Sequence, residues 1–99
     1  MQFLVIAHDG EDSLEQRLAR RDEHVARARK MQKAGNLLYA AALLDDQGAM
    51  NGSMMVFEFE TRDELEMELA QDPYMLGRVW HEVTVNECRV GPMFGSTGA

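Results

Sequence analysis

His24 is the residue in this sequence whose type and setting best suit acid–base chemistry. Arg17 and Arg21 precede it by seven and three residues, so on a helix the three side chains share one border. An imidazole can take up or release a proton near neutral pH, and guanidinium groups bind carboxylates and other anions. The alternative is a solvated helix face, because Asp22 and Glu23 lie beside these residues and can pair with the arginines.

A second group with chemical potential is the tripeptide Asp72-Pro73-Tyr74. The ring of Pro73 fixes the backbone between the two functional side chains. A carboxylate that accepts a hydrogen bond from one imidazole nitrogen fixes the tautomer and leaves the other nitrogen as the base, so Asp72 is a candidate partner of His24. The alternatives are structural: Asp72 as a helix cap before proline, and Tyr74 as a half-buried aromatic with its hydroxyl in water. Spacing alone does not decide whether His24 and Asp72 meet.

His24 lies on a long helix that is predicted to run from Ser13 to Gly35. Ser13 is a capping residue type and Gln16 follows three positions later, which is the capping-box pattern. Gly35 can adopt the left-handed conformation that ends helices. The 100° step per residue places four apolar side chains on one stripe that is predicted to pack on a sheet: Leu14, Leu18, Val25 and Ala28. His24 lies at the border of this stripe, where packing holds a side chain that can still reach a cavity.

The rest of the chain is predicted to supply four strands and a second helix. The predicted strands are Gln2–His8, Asn36–Leu44, Ser53–Glu60 and Val79–Val90, and the predicted helix is Thr61–Gln71. Thr61 and Glu64 form a second capping box, and Asp72, Pro73 and Gly77 predict a short extra turn of helix. The order β-α-β-β-α-β is that of an α+β, ferredoxin-like fold, in which two helices cover one face of a four-stranded antiparallel sheet.

The face of this sheet away from the helices is predicted to be apolar. Its candidate members are Leu4, Ile6, Val56 and Trp80, and a monomer would leave that surface in water. We therefore expect a homodimer, or a larger homo-oligomer, in which two sheets face one another to form a closed or nearly closed α/β barrel.

Composition limits the classes of partner. The chain has 99 residues and 45% hydrophobic content, which suits one domain, 1–90, followed by a loose Gly-rich tail, 91–99. Met93 and Phe94 are candidate anchors of this tail on a partner. The net charge of −7 disfavours nucleic acids and anionic membrane surfaces, because both require basic patches. No apolar run has transmembrane length and the N-terminus lacks a signal-peptide pattern, so the cytoplasm is the expected location.

The sequence predicts neither a disulfide nor a metal site. Cys88 is the single cysteine and lies in a predicted strand, where a buried, inert thiol is expected. The histidines His8, His24 and His81 show no metal-ligand spacing. We therefore expect no metal and no organic cofactor, with haem or metal binding through His24 as a less favoured alternative.

Five segments of the chain occur in an order that is typical of a known family. They are FLVIAHDG at the start, RRDEH ending at His24, AGNLLYAAALLDDQG, Gly52-Ser53 and Asp72-Pro73-Tyr74. From Phe3 to about Val90 the sequence resembles the YCII-related family. The resemblance implies a dimeric, ferredoxin-like α/β barrel, similar in architecture to muconolactone isomerase, with His24 and Asp72 as the active-site pair. It also implies acid–base lyase chemistry, since the family includes a dehydrochlorinase that acts on a chlorinated hydroxyquinol.

His8 departs from the family pattern, because many relatives carry an aromatic residue such as Tyr at this position. A second histidine near the end of the first strand could line the same cavity as His24. We favour the simpler interpretation that His8 is a strand-end residue.

Two functional hypotheses follow. The first is a small, cofactor-independent enzyme that abstracts a proton, with elimination or isomerisation of a small anionic or aromatic molecule. In this hypothesis His24 is the base or acid, and Asp72 orients its ring. Tyr74 and Ser53 offer hydrogen bonds to the substrate. Arg17 and Arg21 favour an anionic substrate. The second is a non-catalytic ligand-binding or accessory module that uses the same cavity, since fold does not fix function.

Overall fold

The elements of the protein follow the predicted order in the computed structural model, which describes residues 1–94. The strands are β1 (Gln2–Asp9), β2 (Leu37–Leu44), β3 (Met50–Glu58) and β4 (Trp80–Cys88). The helices are α1 (Leu14–Ala34), α2 (Arg62–Ala70) and the one-turn α3 (Pro73–Leu76). All four strands form one antiparallel sheet in the order β2-β3-β1-β4. The predicted α+β, ferredoxin-like fold is confirmed.

The core lies between the sheet and the helices, with β1 at its centre. Phe3, Val5 and Ala7 alternate along β1 and are buried on the helix-facing side, because successive side chains of a strand point to opposite faces. β3 runs antiparallel beside β1 and adds Met55 and Phe57 to the same layer. The other core residues come from β2, β4, the helices and the loops: Leu37, Phe59, Leu65, Leu69, Tyr74, Val79 and Trp80. The sheet therefore provides a rigid floor beneath α1.

α1 packs on the sheet with a different face from the one predicted. Leu14 and Leu18, which were expected to be inside, are 41% and 55% exposed, whereas Arg17 is only 3% exposed. The other two residues of the predicted stripe are half-buried: Val25 and Ala28. The physical reason lies at the end of β1, where Asp9 forms an ion pair with Arg17. A buried charge must be paired, so this contact turns Arg17 inward and the two leucines outward.

The two predicted capping boxes behave differently. The Thr61 hydroxyl accepts a hydrogen bond from the backbone N–H of Glu64 at 3.1 Å, so α2 is capped as predicted. Ser13 precedes α1, but its side chain makes no capping hydrogen bond. Gly35 ends α1 in the left-handed conformation, with φ of 87°, as predicted. The ends of both long helices therefore match the sequence signals, although the first cap is not made by the side chain.

The face of the sheet away from the helices is partly apolar. Leu4, Ile6 and Val56 lie on this open face and are half-buried, as predicted. Trp80 was placed there wrongly, because it is 5% exposed and belongs to the core on the helix side. The register between β1 and β4 shifts where Asp9 pairs with Trp80, and such a bulge reverses the side to which a residue points. The sheet-to-sheet homodimer stays a prediction.

The C-terminal end contains one more turn. Pro92–Phe94 form a 3-10 turn in which Met93 and Phe94 are exposed, and the rest of the predicted loose tail, 95–99, lies outside the described residues. Cys88 was expected to be buried and is half-buried at the end of β4. Burial, with a smaller contribution from the charge of Glu87, raises the pKa of the Cys88 thiol.

Candidate active site

His24 lies midway along α1 and contacts the residues of the one-turn helix α3. Its Nδ1 atom is 2.8 Å from Oδ1 of Asp72, and the same oxygen accepts a hydrogen bond from the backbone N–H of Tyr74 at 2.9 Å. Pro73 occupies the first helical position of α3 and leaves Asp72 as its cap. The cap therefore holds the carboxylate in place, so Asp72 is both a helix cap and the partner of His24.

The proton in this contact is assigned from the chemistry of its acceptor. An ionised carboxylate can only accept hydrogen bonds, so His24 donates from Nδ1 and keeps a free lone pair on Nε2. The fully buried side-chain atoms without a partner among residues 1–94 are Nε of Arg17 and Nε of Arg27. Nε2 of His24 is not one of them, has no hydrogen-bond partner in that range, and belongs to a side chain that is 16% exposed. A nitrogen that can accept a proton therefore faces open space.

The ring of Tyr74 contacts both His24 and Arg17. The His24 and Tyr74 rings are stacked, with centroids 3.9 Å apart and planes 13° from parallel, and the guanidinium carbon of Arg17 is 4.7 Å from the Tyr74 centroid. Burial raises the pKa of the Tyr74 hydroxyl above its ordinary value of 10.0, although the charges of Arg17 and Arg21 act in the opposite direction. Near neutral pH the phenol is therefore uncharged and can donate a hydrogen bond.

Arg17 is the centre of a second buried polar cluster. Its Nη1 atom donates to both carboxylate oxygens of Asp9, at 2.9 and 3.0 Å, and its Nη2 atom donates to Oγ of Ser53 at 3.0 Å. Nε1 of Trp80 donates to the same hydroxyl at 3.3 Å. The side chains of Asp9 and Arg17 are 4% and 3% exposed, so the two opposite charges match one another away from water.

A cavity of about 300 Å³ lies between α1 and the strands β2 and β3. On the α1 side its wall carries His24, with Arg21 and Arg29 before and after it along the helix. On the sheet side the wall is mainly apolar and includes the alanines at 40–42 of β2 and Met55 of β3. Among the described residues no carboxylate lines this cavity, and Arg21 and Arg29 make no ion pair. The cavity is therefore cationic although the chain carries a net charge of −7.

The structure gathers the residues that the sequence singled out. The cavity is lined by His24, Arg17, Arg21, Ser53 and Tyr74, and Asp72 lies against His24. His8 is elsewhere, since it is exposed at the end of β1 and pairs with Gly52 and Glu82.

Reasoning from the sequence missed Asp9, Trp80 and Arg29 as neighbours of the site. The Asp9-Gly10 pattern is typical of a turn and hides the ion pair with Arg17. One signal was present: an acidic residue ends an apolar strand just before a helix that presents an arginine. Trp80 depends on a strand bulge, and nothing in its spacing marks its contact with Ser53.

Two features are absent from residues 1–94. No helix there is both long enough and apolar enough to cross a membrane. No group of three or more His, Cys, Asp or Glu side chains in the same range is arranged to hold a metal ion.

Comparison with known proteins gives consistent matches along the chain. A model of the YCII-related domain matches residues 1–89. Protein YciI of Escherichia coli O6:H1 is 34% identical over 91 residues, covering 86% of this chain and 93% of that protein. An uncharacterized protein of Haemophilus influenzae is 33% identical over 91 residues, with the same coverage.

A solved structure with the same fold is the 5-chloro-2-hydroxyhydroquinone dehydrochlorinase of Burkholderia phenoliruptrix AC1100, in complex with 2,5-dihydroxybenzoquinone. Its TM-score is 0.83 at 22% identity, over 94% of this chain and 98% of that chain. At this level of identity the likeness shows the fold.

Proposed function

The chain belongs to the YCII-related family, and from that premise we propose that it is a small-molecule enzyme that abstracts a proton, leading to elimination or isomerisation. The observation that carries the proposal is the His24–Asp72 contact at 2.8 Å, which leaves Nε2 of His24 without a partner among residues 1–94 in a side chain that lines the cavity. A positioned imidazole of this kind contributes roughly 10²- to 10⁴-fold to a proton-transfer step.

Each member of the pair has one role in this step. Nε2 of His24 accepts a proton from a substrate carbon or hydroxyl that lies within hydrogen-bonding distance. Asp72 fixes the Nδ1–H tautomer before the transfer and faces the positive charge of the imidazolium after it. Because Asp72 is itself held by the backbone N–H of Tyr74, the base does not have to reorganise during the reaction.

The cavity favours a planar, anionic or phenolic substrate. Arg21 and Arg29 lack carboxylate partners among the described residues and provide positive charge, while the alanines at 40–42 leave room for an apolar ring. Arg17 supports the site differently, because its terminal nitrogens are already bonded to Asp9 and Ser53. The dehydrochlorinase with the same fold provides a precedent, since its name describes the loss of hydrogen chloride from a chlorinated hydroquinone.

The test is proton exchange in deuterated water with a panel of chlorinated hydroquinones and enolisable aromatic acids, followed by NMR. His24→Gln keeps the size of the side chain but removes the base, and should reduce the exchange rate roughly 10²- to 10⁴-fold. His8→Gln, which changes an exposed histidine outside the cavity, is the matched control and should exchange at the parent rate. Exchange at the parent rate in His24→Gln would contradict the proposal. Panel compounds that bind the parent without any enhanced exchange would favour the ligand-binding module instead.

A further inference from the structure

The Ser53 hydroxyl is a hydrogen-bond donor whose direction is set by its neighbours. A serine hydroxyl has two acceptor lone pairs and one proton. Both acceptor positions of Ser53 are occupied, by Nη2 of Arg17 at 3.0 Å and by Nε1 of Trp80 at 3.3 Å. Both of these groups can only donate, so the Ser53 proton must point elsewhere. No acceptor for it exists among residues 1–94, where these two contacts are the only hydrogen bonds of the side chain.

The hydroxyl hydrogen of Ser53 can point into the cavity. Ser53 lies on the helix-facing side of β3, and its strand neighbours in the ladder are Ala7 and Ala42, which offer no side-chain acceptor. Ser53 is 4% exposed and lines the cavity. A buried hydroxyl is expected to donate its hydrogen to an acceptor. A molecule bound in the cavity can provide that acceptor.

Tyr74 supplies a second donor to the same cavity. The residue is 1% exposed, but its hydroxyl has no hydrogen-bond partner among residues 1–94 and is not one of the fully buried unpaired atoms there. The hydroxyl therefore reaches open space, and the cavity that Tyr74 lines provides it. Arg17 contacts both donors, through its hydrogen bond to Ser53 and its position over the Tyr74 ring.

We propose that Ser53 and Tyr74 form an oxyanion site, and that the substrate is a carbonyl compound or phenol whose oxygen becomes negatively charged when His24 removes a proton. This inference rests on the proposed function and adds the substrate class and the role of two donors. Arg17 and Trp80 act as positioning residues, because they fix the acceptor side of the Ser53 hydroxyl without touching the substrate oxygen.

The electrons balance without an oxidant or reductant. With a phenol, the O–H bond breaks, its proton goes to Nε2 of His24, and its electron pair stays on the oxygen. With a carbonyl compound, the C–H bond next to the carbonyl breaks, its proton goes to Nε2 of His24, and its electron pair forms a carbon–carbon double bond. The π pair of the carbonyl moves to oxygen, which accepts hydrogen bonds from Ser53 and Tyr74. In an elimination the oxygen pair re-forms the carbonyl, the pair of the carbon–carbon double bond forms a new double bond to the next carbon, and the leaving group departs from that carbon with the electron pair of its own bond. In an isomerisation the imidazolium returns the proton to another carbon. Donors aimed at such an oxygen stabilise the transition state more than the ground state.

The experiment measures binding of 4-nitrophenol, whose phenolate is coloured and resembles the charged intermediate. Neutral 4-nitroanisole has a similar shape and serves as the reference ligand. The parent should bind the phenolate more tightly than the neutral ligand. Ser53→Ala should lose roughly 10- to 100-fold of its phenolate affinity, the value of a hydrogen bond to a charged group, and should bind nitroanisole within about twofold of the parent. Ser13→Ala makes the same atomic change outside the cavity and should match the parent.

Two further variants keep the test decisive if Ser53→Ala does not fold. Tyr74→Phe keeps the stacked ring and should lose phenolate affinity selectively, and Ser53→Cys, which retains a weak donor, should fall between Ser53→Ala and the parent. Parent-like phenolate binding in Tyr74→Phe and Ser53→Cys, or no phenolate preference in the parent, would overturn the oxyanion site. Binding of nitrophenolate to the parent involves no proton transfer, so it reports on the two donors, whereas the proton-exchange assay of the parent and His24→Gln reports on the base. Failure of the oxyanion site and failure of the base are therefore separate outcomes.

Discussion

Two polar pairs contact the ring of Tyr74, and they differ in what each leaves free. In the Asp9–Arg17 pair, a carboxylate meets a guanidinium through two hydrogen bonds, and both side chains are almost fully buried. In the His24–Asp72 pair, one hydrogen bond joins the residues and one imidazole nitrogen remains available beside the cavity. The first pair is closed by a permanent charge match, whereas the second can change its protonation state.

Under the proposed function, the Asp9–Arg17 pair holds the site in place and the His24–Asp72 pair takes part in the reaction. A guanidinium stays charged at every practical pH, so Arg17 can position Ser53 and Tyr74 in all states of the reaction. In the proposed reaction His24 takes up a proton, so its contact with Asp72 has to serve both the neutral and the protonated ring. The two pairs lie close together. The fixed charge of Arg17 can therefore position Ser53 and Tyr74, which lie in the same site as His24.

The largest expected effect is on stability, and it distinguishes the pairs directly. Asp9→Asn leaves the buried charge of Arg17 without its counter-ion, which should cost about 3–5 kcal/mol of unfolding free energy. Asp72→Asn should cost about 1 kcal/mol or less, because His24 can remain neutral and asparagine is also a good helix cap. Urea denaturation of both variants at pH 7 measures the difference. Equal losses in the two variants would show that the pairs are not functionally distinct.

A double variant sharpens this stability test. Combining Asp9→Asn with Arg17→Met removes the unpaired charge and should recover part of the loss, because replacing a whole buried ion pair with apolar groups is often close to neutral. Ser53 would then lack one donor, so complete recovery is not expected. A double variant less stable than Asp9→Asn alone would show that Arg17 contributes more by packing on Tyr74 than by its charge.

The second prediction concerns the tautomer of His24. In the parent, ¹⁵N spectra of the imidazole at a pH where the ring is neutral should show Nδ1 protonated and Nε2 free, because Asp72 accepts from Nδ1. Asp72→Asn replaces a charge-assisted hydrogen bond with a neutral one, which weakens this preference by about 1 kcal/mol. Asp9→Asn, if folded, should retain the parent tautomer. An unchanged His24 spectrum in Asp72→Asn would mean that the carboxylate does not set the tautomer.

The sequence predicted the fold from local signals and named His24 and Asp72 as candidates, whose side chains lie 2.8 Å apart in the structure. Strand alternation and helix ends predicted the order of elements, and Asp72-Pro73 predicted the cap that positions the carboxylate. The family resemblance then supplied His24 as its partner. Helical spacing also placed Arg17 and Arg21 on the cavity side of α1.

The Asp9–Arg17 pair could not be predicted from the sequence, because it depends on how β1 and α1 meet in three dimensions. A helical wheel ranks side chains by hydropathy, so it placed Leu14 inside and Arg17 at the border, and the opposite burial follows only once Asp9 is known to lie beneath the helix. Trp80 depends on a bulge that shifts the register of β4 by one residue. The bulge has no local signal in the sequence, and the acidic end of β1 before an arginine-bearing helix does not by itself predict that Asp9 and Arg17 are buried together.

An effect confined to alkaline pH belongs to Tyr74, the ring that both pairs contact. Burial raises the pKa of its hydroxyl in the folded chain, whereas the unfolded chain releases this proton near pH 10.0. Above that pH the folded state holds more protons than the unfolded state, so the unfolding free energy should fall as pH rises, by at most about 1.4 kcal/mol per pH unit. Below pH 10 the contribution is complete.

Urea midpoints between pH 9 and 11 measure this contribution of Tyr74, and Tyr74→Phe should flatten the decline. Tyr39→Phe changes an exposed phenol, the other tyrosine of the chain, and should leave the parent slope. An equal flattening in both variants would place the effect outside the site and would remove Tyr74 as the link between the pairs.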